Sequence, residues 1–213
     1  MRYEELITIT RNLCCFDTAM IVQMANEPRS AIINQLHRWS KSGKIIHLRQ
    51  GVYTLGLMYR QTPLQPQSIA NFLYRPSYLS VLWALGFYGL IPEAVPMFSC
   101  VTTRTTKYFQ NSLGRFEYRS IKKAFFFGYH DISINGALTT VATPEKALLD
   151  LFYHSRGEWT AYRISGMCFQ QTDLISSQTL HNFAQRMDKP RLFRAVESWF
   201  RFCENDTQEG VSI

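Results

Sequence analysis

Apolar positions recur at helical spacing from the first turn of the chain. Tyr3, Leu6, Ile7, Ile9 and Leu13 fall mostly on one helical face while Glu4, Thr8 and Arg11 lie elsewhere, which predicts a first helix over 3–13. Asp17 suits an N-cap, and Phe16 before it can staple onto Ile21, opening a short helix to Ala25 whose core side is Met20, Ile21 and Met24. Asn26-Glu27-Pro28 reads as a turn. Pro28 fits the first position of a third helix, because its missing N–H is one of the donors left unpaired there; the helix runs to about Ser42 and Gly43 ends it. Ile32, Leu36 and Trp39 form its apolar stripe with Ile33 beside them, and Ser30, Asn34, His37, Arg38 and Lys41 share the opposite side. Two β-rich runs, Lys44 to Leu48 and Val52 to Leu55, flank Arg49-Gln50-Gly51 as a short hairpin.

That chain order is the one found in a winged helix-turn-helix, whose third helix enters the major groove while the hairpin tip meets flanking backbone or minor groove. Charge agrees with it. Residues 1–60 hold eight Lys/Arg against four Asp/Glu, so +4 of the chain's +7 lies there, mostly between Arg29 and Arg49. Phosphate neutralisation requires such clustering. The candidate DNA-binding residues are Arg29, Ser30, Asn34, Arg38 and Lys41 on the third helix, with Lys44 and Arg49 on the hairpin. Asn34 carries the donor–acceptor pair that binds adenine bidentately, and Arg29 and Arg38 have the fork that fits guanine. The pattern does not divide these residues between base and phosphate contacts.

Leu57 to Pro66 has two prolines and little periodicity, which marks a boundary between residues 1–60 and 61–213. Beyond it a helix is expected from Pro66 to Tyr74. A second, apolar on nearly all sides and therefore deep in the core, is expected from Pro76 or Ser77 to Tyr88. β-type runs follow at Met97 to Thr102, Arg115 to Ile121, Phe125 to Tyr129 and Leu138 to Val141. Thr143-Pro144-Glu145 is a helix start with a capping hydroxyl, Pro at the first position and an acid against the positive dipole end. It opens a helix from Lys146 to Tyr153. Ser177 to Met187 and Pro190 to Phe202 complete the helices, and Asn205 to Ile213 reads as a frayed tail. The fold expected is α+β: an N-terminal winged helix-turn-helix followed by a larger mixed domain with a small sheet and flanking helices.

Candidate chemistry is sparse. There is no Gly-x-Gly, no Gly-x-Ser-x-Gly, no acid-x-Lys and no helical His pair, so no catalytic site, metal site or cofactor is expected. The five cysteines form no Cys-x-x-Cys pair and read as buried reduced thiols. The longest charge-free stretch, Pro76 to Pro92, is 17 residues with two Gly and two Pro, short of the ~20 apolar residues a bilayer span requires. No membrane partner is expected, and Glu4 and Glu5 stand where a signal peptide would be basic, so the expected location is the cytosol. A sequence pI near 9.3 favours a polyanionic partner. A second basic segment stands out between Arg104 and Lys123. Arg104, Lys107, Arg115, Arg119, Lys122 and Lys123 are set against Glu117 alone and interleaved with Tyr108, Phe109, Phe116 and Tyr118. Such a mixture either tracks RNA, with aromatics stacking on bases, or is a solvated sheet face with its aromatics turned inward.

Several stretches resemble the AbiEi family, the antitoxins of bacterial type IV toxin–antitoxin systems. They are Arg49-Gln50-Gly51-Val52-Tyr53, Pro76 to Ser80 continuing to Tyr88-Gly89-Leu90-Ile91-Pro92, Val101-Thr102-Thr103-Arg104, Phe127-Gly128-Tyr129 and Ala142 to Asp150. The motifs cover about Leu36 to Tyr153, and the last 50 residues carry none of them. The resemblance implies a winged helix that represses its own promoter by binding inverted repeats, and a larger domain that counteracts a nucleotidyltransferase-like toxin, typically without a stable complex, in phage defence. It implies Arg49 as a DNA contact at the wing turn, and Thr102, Thr103 and Arg104 as part of the antitoxin surface. Glu145 is already explained by the helix start, so Glu145 and Asp150 are read as structural. The alternative to an antitoxin is a plain winged-helix transcriptional regulator whose second domain senses a ligand or dimerises.

Overall fold

Phe16 and Ile21 are both fully buried, and the Asp17 carboxylate between them accepts the Met20 N–H at 2.7 Å. This capped, stapled start organises the first sixty residues of the computed structural model, which describes residues 1–61, 63–93 and 95–209. Its elements are α1 (Tyr3–Thr10), β1 (Phe16–Asp17), α2 (Thr18–Met24), α3 (Arg29–Lys41), β2 (Ile45–Arg49) and β3 (Val52–Leu55). The strands form an antiparallel sheet in the order β1-β3-β2. Tyr3, Leu6, Phe16, Ile21, Ile32, Leu36, Ile45 and Leu55 make one buried cluster between helices and sheet. Gly51 closes the hairpin at φ +73, a backbone setting that L side chains rarely adopt. Three expectations change. α1 stops at Thr10, whose hydroxyl bonds back to Leu6 O at 2.7 Å, rather than reaching Leu13. Met24, expected in the core, is 59% exposed. Phe16 and Asp17 are also a strand, because β3 offers them a paired edge.

The rest of the described chain contains α4 (Pro66–Leu73), β4 (Ser77–Leu79), α5 (Val81–Phe87), β5 (Met97–Thr102), β6 (Lys107–Asn111), β7 (Gly114–Ser120), β8 (Tyr129–Ile134), β9 (Ala137–Ala142), α6 (Pro144–His154), α7 (Ala161–Ser165), α8 (Ser177–Met187) and α9 (Pro190–Glu209). Its sheet runs β6-β7-β5-β4-β9-β8. Antiparallel hairpins form both ends, and β4 lies inside, antiparallel to β5 and parallel to β9. The α+β reading therefore holds, with a small antiparallel sheet and a larger mixed one. Ser77 to Leu79 is a strand and not the first turn of a helix: Tyr78 and Leu79 are fully buried inside the sheet, and an all-round apolar segment fits such a strand as well as a core helix. A short 3-10 turn occupies Lys123–Phe125, and the strand expected from Phe125 begins only at Tyr129. α9 continues to Glu209, past the Phe202 expected as its end, since no Gly or Pro intervenes. The remainder of the expected frayed tail, 210–213, lies outside the described residues.

The two parts share a seam. Cys15, Leu48 and Val52 belong to the larger core, not the N-terminal cluster. Asn111 Nδ2 donates to Leu48 O at 3.1 Å and Arg49 Nε donates to Leu73 O, so β2 is pinned to both β6 and the end of α4. Deeper in, Asp150 is wholly buried and accepts from Tyr78 Oη at 2.9 Å, Ser80 Oγ at 2.8 Å and Lys146 Nζ. Glu145 Oε1 accepts the Ser176 N–H at 3.1 Å. Both carboxylates are spent inside the fold.

Candidate nucleic-acid interface

α3 buries Ile32 and Leu36 against the N-terminal cluster, which fixes what its other face presents. Ser30, Asn34, His37 and Lys41 follow one another at spacings of four, three and four residues, and so line up along the helix; Arg29 and Arg38 flank the line. All six are exposed. Arg29, Arg38 and Lys41 make no ion pair among the described residues. The nearest acid in sequence, Glu27, is engaged by the N-terminal ammonium and by Gln35 Nε2 at 2.7 Å. Exposed cations without an ion pair can neutralise phosphates and so release the cations condensed on a nucleic acid, with a gain in entropy. A concavity of about 320 Å3 lies where α3 meets the hairpin, lined by His37, Ser40, Lys41, His47 and Tyr53. His47 and Tyr53 were absent from the sequence-based set; His47 alternates along β2 with Ile46 and Leu48, and that alternation was the available signal.

The two hairpin residues of the expected set are placed differently. Lys44 folds back with Nζ 4.6 Å above the Tyr3 ring, and its carbonyl accepts the Tyr3 hydroxyl at 2.7 Å. Arg49 engages the larger part of the chain. Besides its bond to Leu73 O, it donates to Gln50 O at 2.8 Å and lies 5.8 Å from the Phe109 ring centre. Burial pushes its guanidinium below the usual arginine range. Arg49 thus serves the seam.

The second basic segment does not form one surface. Lys107 pairs with buried Tyr118 across β6 and β7, whereas Arg115 and Arg119 occupy the alternate positions of β7 and point to the other side of the sheet. Arg119 is paired with Glu117 at 2.9 Å. Arg104 stacks 4.3 Å from the Tyr74 ring and donates to Arg75 O at 3.4 Å. Thr102 is buried, its hydroxyl spent on Pro76 O at 2.7 Å, and Thr103 is half-buried. Lys122 and Lys123 are exposed beyond the end of β7. Of the interleaved aromatics, Phe116 and Tyr118 are fully buried, while Tyr108 is 50% exposed.

Among the described residues no group of three or more His, Cys, Asp or Glu side chains could hold a metal ion, and no helix is long and apolar enough to cross a membrane. Searched against protein families and curated proteins, the chain matches no family model and no curated protein.

Proposed function

We propose that the chain binds DNA through α3, used as the recognition helix of a winged helix-turn-helix, and acts as an autorepressing antitoxin of the AbiEi kind. The observation that carries the DNA half is the exposed stripe of Ser30, Asn34, His37 and Lys41 with Arg29 and Arg38, free of acids and of internal ion pairs. A helix fits the major groove, and the adjoining concavity holds Lys41 and two histidines where a phosphate would pass. Arg49 leaves the contact set. The antitoxin half rests on the ordered motifs from Val101 to Asp150, and its partner is a nucleotidyltransferase-like toxin. Full-length protein should shift DNA from upstream of its own gene. Lys41→Ala should flatten the salt dependence by roughly one phosphate's worth at every sequence, and Asn34→Ala should cost about 1–3 kcal/mol on the operator alone. Absence of binding to any upstream fragment at low salt defeats the DNA half.

A second reading, a regulator whose larger part senses a ligand, is favoured by an open cavity of about 540 Å3 between α4, the β8–β9 hairpin and the bend at Cys14. Co-expression with the neighbouring toxin gene separates the two, because only an antitoxin restores growth.

A further inference from the structure

Successive side chains of an extended segment point to opposite sides of the backbone, so neighbouring cysteines ordinarily hold their sulfurs apart. Cys14 and Cys15 are held together instead. The chain bends at Cys14, between α1 and β1, and the two Sγ atoms lie 3.6 Å apart. The expectation of five buried thiols fails here in an informative way. Cys15 is 2% exposed within the larger core, whereas Cys14 is half-buried and walls the cavity of about 540 Å3. Phe72, Arg75, Ser77 and Tyr129 line that cavity too. Arg75 lies 4.2 Å from the Phe72 ring and has no carboxylate partner among the described residues. The hydrogen bond from Cys15, helped by backbone donors and by Arg75, brings the Cys14 thiol down to about 7 against the opposing effect of burial. That same contact and burial push the Cys15 thiol far up, so it stays protonated. One sulfur is an accessible nucleophile and the other a proton-bearing neighbour within reach.

We propose that Cys14 and Cys15 are an oxidisable dithiol that reduces a hydroperoxide entering the cavity and closes into a vicinal disulfide. The Cys14 thiolate attacks one oxygen of hydrogen peroxide and the O–O bond breaks. Sulfur becomes a sulfenic acid, and the other oxygen leaves as hydroxide, which takes up a proton to become water. The Cys15 sulfur then attacks the Cys14 sulfur; the S–O bond breaks, and the departing hydroxide takes the Cys15 proton as a second water. Two thiols lose two electrons and one peroxide gains them. Adjacent Cα atoms stand ~3.8 Å apart, below the ~4.4 Å at which disulfides ordinarily begin, so the bridge is strained and readily reduced.

The test uses the reduced full-length protein with an equimolar amount of hydrogen peroxide at pH 7, followed by intact mass and peptide mapping. The expected result is loss of two hydrogens within residues 12–29, reversed by dithiothreitol and roughly tenfold faster than any oxidation of the exposed Cys168. Cys15→Ser should leave a Cys14 sulfenic acid that dimedone captures, while Cys14→Ser should leave Cys15 reduced. Oxidation of Cys168 as fast as that of Cys14 would overturn the proposal. So would a wild-type sulfenic acid that persists at Cys14 beside a reduced Cys15. Both readings come from the unmutated protein, so misfolding of a variant does not cloud them.

Discussion

His154 sits in the last turn of α6 with its Nε2 buried and unpartnered among the described residues, and burial brings its imidazole down to about 4. An unfolded chain takes up a proton at this residue near its ordinary value of about 6.5, while the folded protein resists until about 4. The unfolded state therefore binds more protons across that window, so folding stability falls as pH drops from about 6.5 toward 4 and is unaffected by this residue above it. Allowing for partial exposure, the loss is roughly 2 kcal/mol. His154→Leu removes both the proton site and the unpartnered nitrogen. Urea midpoints measured from pH 4 to 7 should fall less steeply for the variant; identical slopes would show that this imidazole is already solvated in the fold. Asp150 solves the same burial problem the other way, with three donors, and it was legible as structural because it follows a capped helix start in an apolar helix. His154 was not: its position gave no sign that its ring nitrogen would lack a partner.

At the scale of elements, what was legible had either a strong period or a capping residue. α2, α3, the hairpin, α4, α6 and α8 fall where apolar spacing, Pro at a first turn, or a Ser, Thr or Asp cap place them. β4 and β6 escaped, and β8 was placed too early, for two physical reasons. β4 is three residues long and buried within the sheet, too short to show a period. β6 and β8 are edge strands with largely exposed side chains, so their polar sequence records solvent and not pairing. The same limit applies to Arg49 at the hairpin turn, expected as a DNA contact from its charge and from the resemblance, whereas long-range packing directs it to Leu73 O. Arg49→Ala strands that carbonyl and loosens the seam, at about 1–3 kcal/mol. The denaturant midpoint should drop while the salt dependence of the proposed DNA binding keeps its wild-type slope. A slope reduced by about one would restore Arg49 to the phosphate contacts.

For the whole molecule, net charge pointed only to a polyanion. Its distribution separates the exposed, acid-free bases of α3 from a second set that the sheet splits between its two sides. The cores bear on whether these parts behave as one. The N-terminal cluster is small, and a unit of about 60 residues is marginal by itself because it buries so little of its surface. Its strand β2 lends Leu48, 2% exposed, to the larger core, and the preceding bend and β3 lend Cys15 and Val52. Stability of the α3 face proposed to bind DNA is therefore tied to the sheet behind it, and the two should unfold together. Pulse hydrogen exchange across a urea titration can follow peptides from α3 and α6 separately. In the wild-type chain their midpoints should coincide. Leu48→Ala, at a cost of about 2–5 kcal/mol, should cut the link so that α3 loses protection at a lower urea concentration than α6. Separate midpoints already in the wild-type protein would mean that the seam carries no cooperativity and that α3 is presented by a unit standing on its own eight-residue core.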